Sequence, residues 1–157
     1  MYKVATKIIV GRIRPLLVGL VSPLQTAFIP GRKGVDNAII FQELIHSMSK
    51  KKGKEGVMAI KIDLEKAYDH LEWSFIRDIL TLFKFPNQLI SLIMSCVSSS
   101  SISILLNGRA LDPFQLSRGI RQGDLLSPYL FILCMEVLGV LILEKCEANQ
   151  RCSWHLL

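Results

Sequence analysis

Lys61-Ile62-Asp63-Leu64-Glu65-Lys66-Ala67-Tyr68-Asp69 decides how this chain reads. The segment leading into it alternates. Met58, Ile60 and Ile62 face one way, and Val57, Ala59, Lys61 and Asp63 the other. Period-two alternation predicts a strand over 57–64 that delivers Asp63 at its end. A carboxylate there is a candidate Mg²⁺ ligand, because Mg²⁺ is held by a few carboxylates together with substrate phosphates. An isolated aspartate at a strand end is more often a turn or capping residue, so the assignment needs a second segment.

Upstream, Val4, Ile8, Ile9, Ile13, Leu16, Leu17 and Leu20 recur at helical spacing, with a break expected near Pro15 and Gly19. Phe28-Ile29-Pro30-Gly31-Arg32 reads as a loop. Residues 35–49 predict a second amphipathic helix, with Ile39, Ile40, Leu44, Ile45 and Met48 on one side. Lys50 to Gly56 is a charged connection.

Downstream, Asp69-x-x-Glu72 has the form of a capping box opening a helix to about Lys84, with Trp73 on its apolar face. Pro86 suits the first turn of a helix running to Val97. Asn107-Gly108, set between Ser101–Leu106 and Arg109–Leu116, predicts a hairpin with a type I′ turn. Asp112-Pro113 reduces its second strand to an edge or a bulge. Ser127 as cap and Pro128 in the first turn predict a helix to about Cys146. The order gives an α+β chain.

At 157 residues, 50% hydrophobic and 20% charged, the chain is long and apolar enough for one folded domain rather than disorder. The net charge of +6 is compatible with a polyanionic partner and says nothing of fold. Cys96, Cys134, Cys146 and Cys152 form no Cys-x-x-Cys pair, which points to free thiols rather than a zinc site. His46 and His70 have no suitably spaced partners. Lys3, Lys7, Arg12 and Arg14 interrupt any secretory core near the N-terminus. The apolar run Tyr129–Leu143 is about 15 residues against the roughly 20 a membrane span needs, so it reads as a buried helix. A nuclear or cytoplasmic protein is expected.

The second segment is Ser117-Arg118-Gly119-Ile120-Arg121-Gln122-Gly123-Asp124, followed by Ser127-Pro128. Its glycines let backbone approach a ligand, Gln122 can donate and accept at a nucleotide, and Arg118 and Arg121 can face phosphate.

Together these segments resemble the reverse transcriptase domain of non-LTR (LINE-type) retrotransposons, particularly the plant kind. The resemblance is carried in order by Tyr2-Lys3 to Leu17, by Gln25 to Arg32 with Asp36-Asn37, by Lys61 to Trp73, by Leu106-Asn107-Gly108 and by Ser117 to Leu138. It implies a partial right-hand polymerase fold: about 1–56 fingers-like, 57–146 a partial palm, 147–157 a divergent tail. It implies Asp63 as the first catalytic aspartate and Mg²⁺ ligand. Tyr68 would be the aromatic that contacts the incoming sugar, with the peptide groups around Lys66 and Ala67 near the triphosphate. Arg32 would contact phosphates, and Gln122 and Gly123 would shape the nucleotide pocket. RNA template, DNA primer and dNTP are the implied partners.

The family's aromatic-Ala-Asp-Asp hairpin lies beyond the helix that starts at Ser127, and this sequence contains no Asp-Asp. Gly11 stands where the family usually has Asn, and Leu125 where it usually has Pro. The expectation is a truncated reverse transcriptase segment that does not polymerise alone, with an unpaired edge along 57–64. Two other readings stay open: a degenerate remnant binding nucleic acid through Lys50 to Lys54, Arg118 and Arg121, and a non-catalytic helical interaction domain.

Overall fold

The computed structural model describes residues 2–52, 59–99 and 101–148. Helix α1 (Tyr2–Ile13) ends at the Arg14-Pro15-Leu16 turn, as the proline requires, and the chain resumes as α2 (Leu17–Leu20). Ile9, Ile13 and Leu17 recur every four residues, so one buried stripe crosses the break. Helix α4 (Trp73–Leu82) buries Ile76, Ile79 and Leu80. Helix α5 (Asn87–Ser98) buries Ile90, Ile93, Met94 and Cys96. Both patterns are the i, i+3, i+4 spacing of a core-facing helix. Helix α6 (Ser127–Ala148) adds Leu130, Ile132, Leu133 and Cys134. The core forms where α4 packs on both α5 and α6, with α1 against α5. Full burial of each such aliphatic side chain contributes about 1.5–3 kcal/mol.

Helix α4 stops by backbone geometry. The Phe85 amide donates to Leu80 O at 3.1 Å and the Lys84 amide to Thr81 O at 2.9 Å, with Lys84 at φ 57°. These are the paired bonds of a Schellman ending, with lysine where glycine is usual.

The hairpin forms as its turn chemistry dictates. Strands β2 (Leu105–Leu106) and β3 (Arg109–Ala110) pair as Leu105↔Ala110 and Leu106↔Arg109, with Asn107 and Gly108 at φ 51° and 78°. Farther out, β1 (Ser101–Ile102) pairs with β4 (Phe114–Gln115) as Ser101↔Gln115 and Ile102↔Phe114. Between the ladders the Leu111 amide still bonds Ile104 O at 2.9 Å. One residue, Ser103, therefore stands opposite two, Asp112 and Pro113, which is a bulge at the predicted place.

Four expectations are corrected. Residues 59–64 carry no strand, and Ile60, Ile62 and Leu64 are exposed; residues 57 and 58 lie outside the described residues. A strand needs a ladder partner, and among the described residues the hairpin pairs with itself. The Asp69–Glu72 capping box does not form: the helix begins at Trp73, Glu72 occupies its N-cap, and no side-chain bond caps it. Ser127 does not cap α6 but donates to Arg121 O at 2.6 Å. The predicted buried helix extends to 22 residues, and only its first half is core; Val140, Leu141 and Leu143 are exposed. By length and composition alone α6 could cross a membrane.

Helix α3 (Gly34–Lys50) forms over the predicted range, but none of its residues is buried. Its stripe of Ile39, Ile40 and Ile45 is exposed. Asn37 Nδ2 donates to Leu24 O at 2.7 Å.

Candidate nucleotide site

The polar turn at residues 65–70 closes on Lys66, whose carbonyl accepts from the Asp69 and His70 amides at 2.9 and 3.2 Å and whose φ is 50°. The glycine loop then joins this turn through main-chain atoms. The Gly119 amide donates to Leu71 O at 2.7 Å, and the Ile120 amide to Tyr68 O at 2.9 Å. Gly119 has φ 87°, and a Cβ there would lie 3.1 Å from Asp69 O. Glycine is required for both the conformation and the approach. Trp73 Nε1 donates to Gly119 O at 2.8 Å and locks the same junction to α4. The indole is partly buried and polar-anchored, more than the plain core residue its apolar face suggested.

This seam brings Tyr68, Gln122 and Gly123 to one open cleft of about 580 Å³. Phe28, Asp124, Tyr129 and the first turn of α6 complete it. Tyr68 rests against Phe131, with ring centroids 4.9 Å apart, and burial holds its phenol above the ordinary tyrosine range. Gly123 turns at φ 85°, and Asp124 Oδ1 accepts from the Leu126 amide at 3.2 Å.

Phe28 reaches the cleft from a loop in an unusual conformation, φ 59°, which for a bulky residue costs of order 1–3 kcal/mol. Arg32 braces that loop. Its guanidinium donates to the carbonyls of Ser22, Gln25 (2.6 Å), Val21 (3.1 Å) and Val18 (3.4 Å). Arg32 therefore stands beneath the loop and is not part of the cleft lining.

The remaining candidates are dispersed. Lys66 and Ala67 lie in the Tyr68 turn without lining the cleft. Arg118 faces Glu72 at 3.5 Å, both exposed, and the Arg121 guanidinium carbon sits 5.5 Å from the centroid of the Tyr2 ring. Lys50 to Lys52 are exposed; Gly53 and Lys54 lie outside the described residues. Asp63 is exposed on the irregular segment before the turn. Among the described residues no three His, Cys, Asp or Glu side chains form a group able to hold a metal ion. One carboxylate is a poor match for two divalent ions, so the described residues do not by themselves fit an Mg²⁺ centre. The contributions of Phe28 and Tyr129 to the cleft were not read from sequence. Their signals were an aromatic just ahead of Pro30-Gly31 and one just after Ser127-Pro128.

A family model for reverse transcriptase (RNA-dependent DNA polymerase) matches residues 1–155. The chain belongs to the reverse transcriptase family. That family generally uses divalent metal ions. This reverse transcriptase chain is similar to the transposon TX1 uncharacterized 149 kDa protein of Xenopus laevis, 27% identical over 135 residues, covering 86% of this chain and 10% of that protein. It is 32% identical over 114 residues to the Pol polyprotein of the type-2 retrotransposable element R2DM of Drosophila melanogaster, covering 73% of this chain and 11% of that protein. A stretch of 35 residues is 60% identical to an uncharacterized mitochondrial protein of Arabidopsis thaliana, covering 22% of this chain and 29% of that protein. The reverse transcriptase chain thus spans about a tenth of the length of the transposon and R2DM proteins.

Proposed function

We propose that this chain is the incoming-nucleotide segment of an RNA-directed DNA polymerase from a plant LINE-type retroelement, made of fingers and an incomplete palm. The observation that carries the reading is the convergence of Tyr68 with Gln122 and Gly123, from two distant segments, on one cleft. Its aromatic walls suit a base or sugar ring, and the Gln122 amide can hydrogen-bond to either. The family motif adds Lys66 and Ala67 beside the phosphates. Arg32 would reach a phosphate only by releasing the carbonyls it now holds. In a longer polypeptide that brings further carboxylates beside it, Asp63 would supply one carboxylate to Mg²⁺, and RNA template and DNA primer would be the macromolecular substrates.

On this reading the chain alone binds dNTP but does not extend a primer, because the described residues bring no group of carboxylates together to match the metal charge. Primer extension on an RNA template with Mg²⁺ or Mn²⁺ should yield no product. Extension that disappears in Asp63→Asn would overturn the claim of inactivity. Titration with dATP should show binding that weakens in Tyr68→Ala and in Gln122→Ala; affinity unchanged in both would sink the nucleotide assignment.

A further inference from the structure

Three elements meet at the phenol of Tyr2. Its hydroxyl donates to Asp124 Oδ2, and its oxygen also lies 3.3 Å from the Cys96 carbonyl oxygen on α5. A phenol has one proton, and a carboxylate is a stronger acceptor than a neutral carbonyl, so the bond to Asp124 takes it. Asp124 is held on its other oxygen by the Leu126 amide. It also follows directly on Gln122 and Gly123 in the turn that lines the cleft. The Arg121 guanidinium over the Tyr2 ring adds a contact from the same loop. Burial, and then the bond to Asp124, hold the Tyr2 phenol above its ordinary value, so it remains a donor.

We propose that Tyr2 is a positioning residue for the nucleotide cleft, tying α1 through Asp124 to the turn that presents Gln122 and Gly123. This rests on the nucleotide reading of that cleft. Tyr2 does not line the cleft, so the effect of its hydroxyl on a ligand passes through Asp124.

The test compares Tyr2→Phe, Asp124→Asn and the double variant. Tyr2→Phe removes one hydroxyl and keeps the ring under Arg121. Two readouts are taken: amide hydrogen exchange, and affinity for dATP. In Tyr2→Phe, exchange at Asp124 and Leu126, whose amides donate to Arg121 O and Asp124 Oδ1, should quicken while Gly119 and Ile120, bonded to the 68–71 segment, stay protected. The dATP dissociation constant should rise about fivefold, a typical size for coupling through an intermediate residue. The double variant should be no weaker than Asp124→Asn, since one interaction is removed twice. Additive losses, or exchange quickened across all of α1 and α5, would show a general structural role and overturn the proposal. So would an unchanged dissociation constant in Tyr2→Phe. If the unaltered chain binds no dATP, the nucleotide reading fails, and the exchange pattern alone decides the tether. Should Tyr2→Phe not fold, Asp124→Asn carries the exchange comparison.

Discussion

Gly119 and Asp69 stand so close that a Cβ on the glycine would lie 3.1 Å from the aspartate's carbonyl oxygen. The neighbour is backbone and cannot swing away. Gly119→Ala meets both this contact and a left-handed φ, and is expected to cost about 1–3 kcal/mol. A thermal melt followed by circular dichroism checks it; an unaltered midpoint would show that the seam yields more easily than its geometry implies.

At the end of α4 the opposite change should help. Lys84 sits at φ 57° in the position glycine favours. Lys84→Gly relieves a Cβ penalty at the cost of some chain entropy, and a net gain of about 0.5–1 kcal/mol is expected. Urea denaturation measures it, and a lower midpoint in the glycine variant refutes the account.

Arg32 offers a test of geometry against charge. A guanidinium fork reaches several carbonyls at once, whereas an ammonium keeps the charge but not the fork. Arg32→Lys should therefore loosen the loop that carries Phe28, costing about 1 kcal/mol of stability. Quicker amide exchange at residues 24–32 is the sensitive readout. Equal exchange in Arg32→Lys would mean that charge alone holds the loop.

Burial pushes the Cys134 thiol up to about 12, from an ordinary value of 9.0. The unfolded thiol ionises first as pH rises. The contribution to stability is therefore complete below about pH 9 and is lost progressively between 9 and 12. At pH 8 alkylation of Cys134 should be slow in the native chain and fast in urea, scored by peptide mass spectrometry. Rapid native labelling would place this thiol outside the core.

Legibility in the sequence followed the range of the interaction. Asn107-Gly108 and Asp112-Pro113 act locally, so hairpin and bulge were both readable. The stripes of α4 and α5 were readable because three- and four-residue spacing is itself the packing signal. The strand at 57–64 was not, since alternation records suitability for a ladder and not the presence of a partner. The amphipathic face of α3 misleads in the same way: the pattern is real, yet none of the helix is buried. The linked motifs named Tyr68, Gln122 and Gly123, which the fold brings to one cleft. The tether from Tyr2 to Asp124 spans most of the chain and leaves no local mark.

The seam between the 68–71 segment and the glycine loop is sewn with amide and carbonyl groups. Apart from the Trp73 indole that locks it and the one position where a side chain is forbidden, such stitching is indifferent to side-chain identity. Gln122, which lines the cleft, can therefore be rewritten while the frame that carries it stays put. The frame is separable from the lining it carries, so the side chains of the cleft can be exchanged one at a time without re-engineering the fold around them.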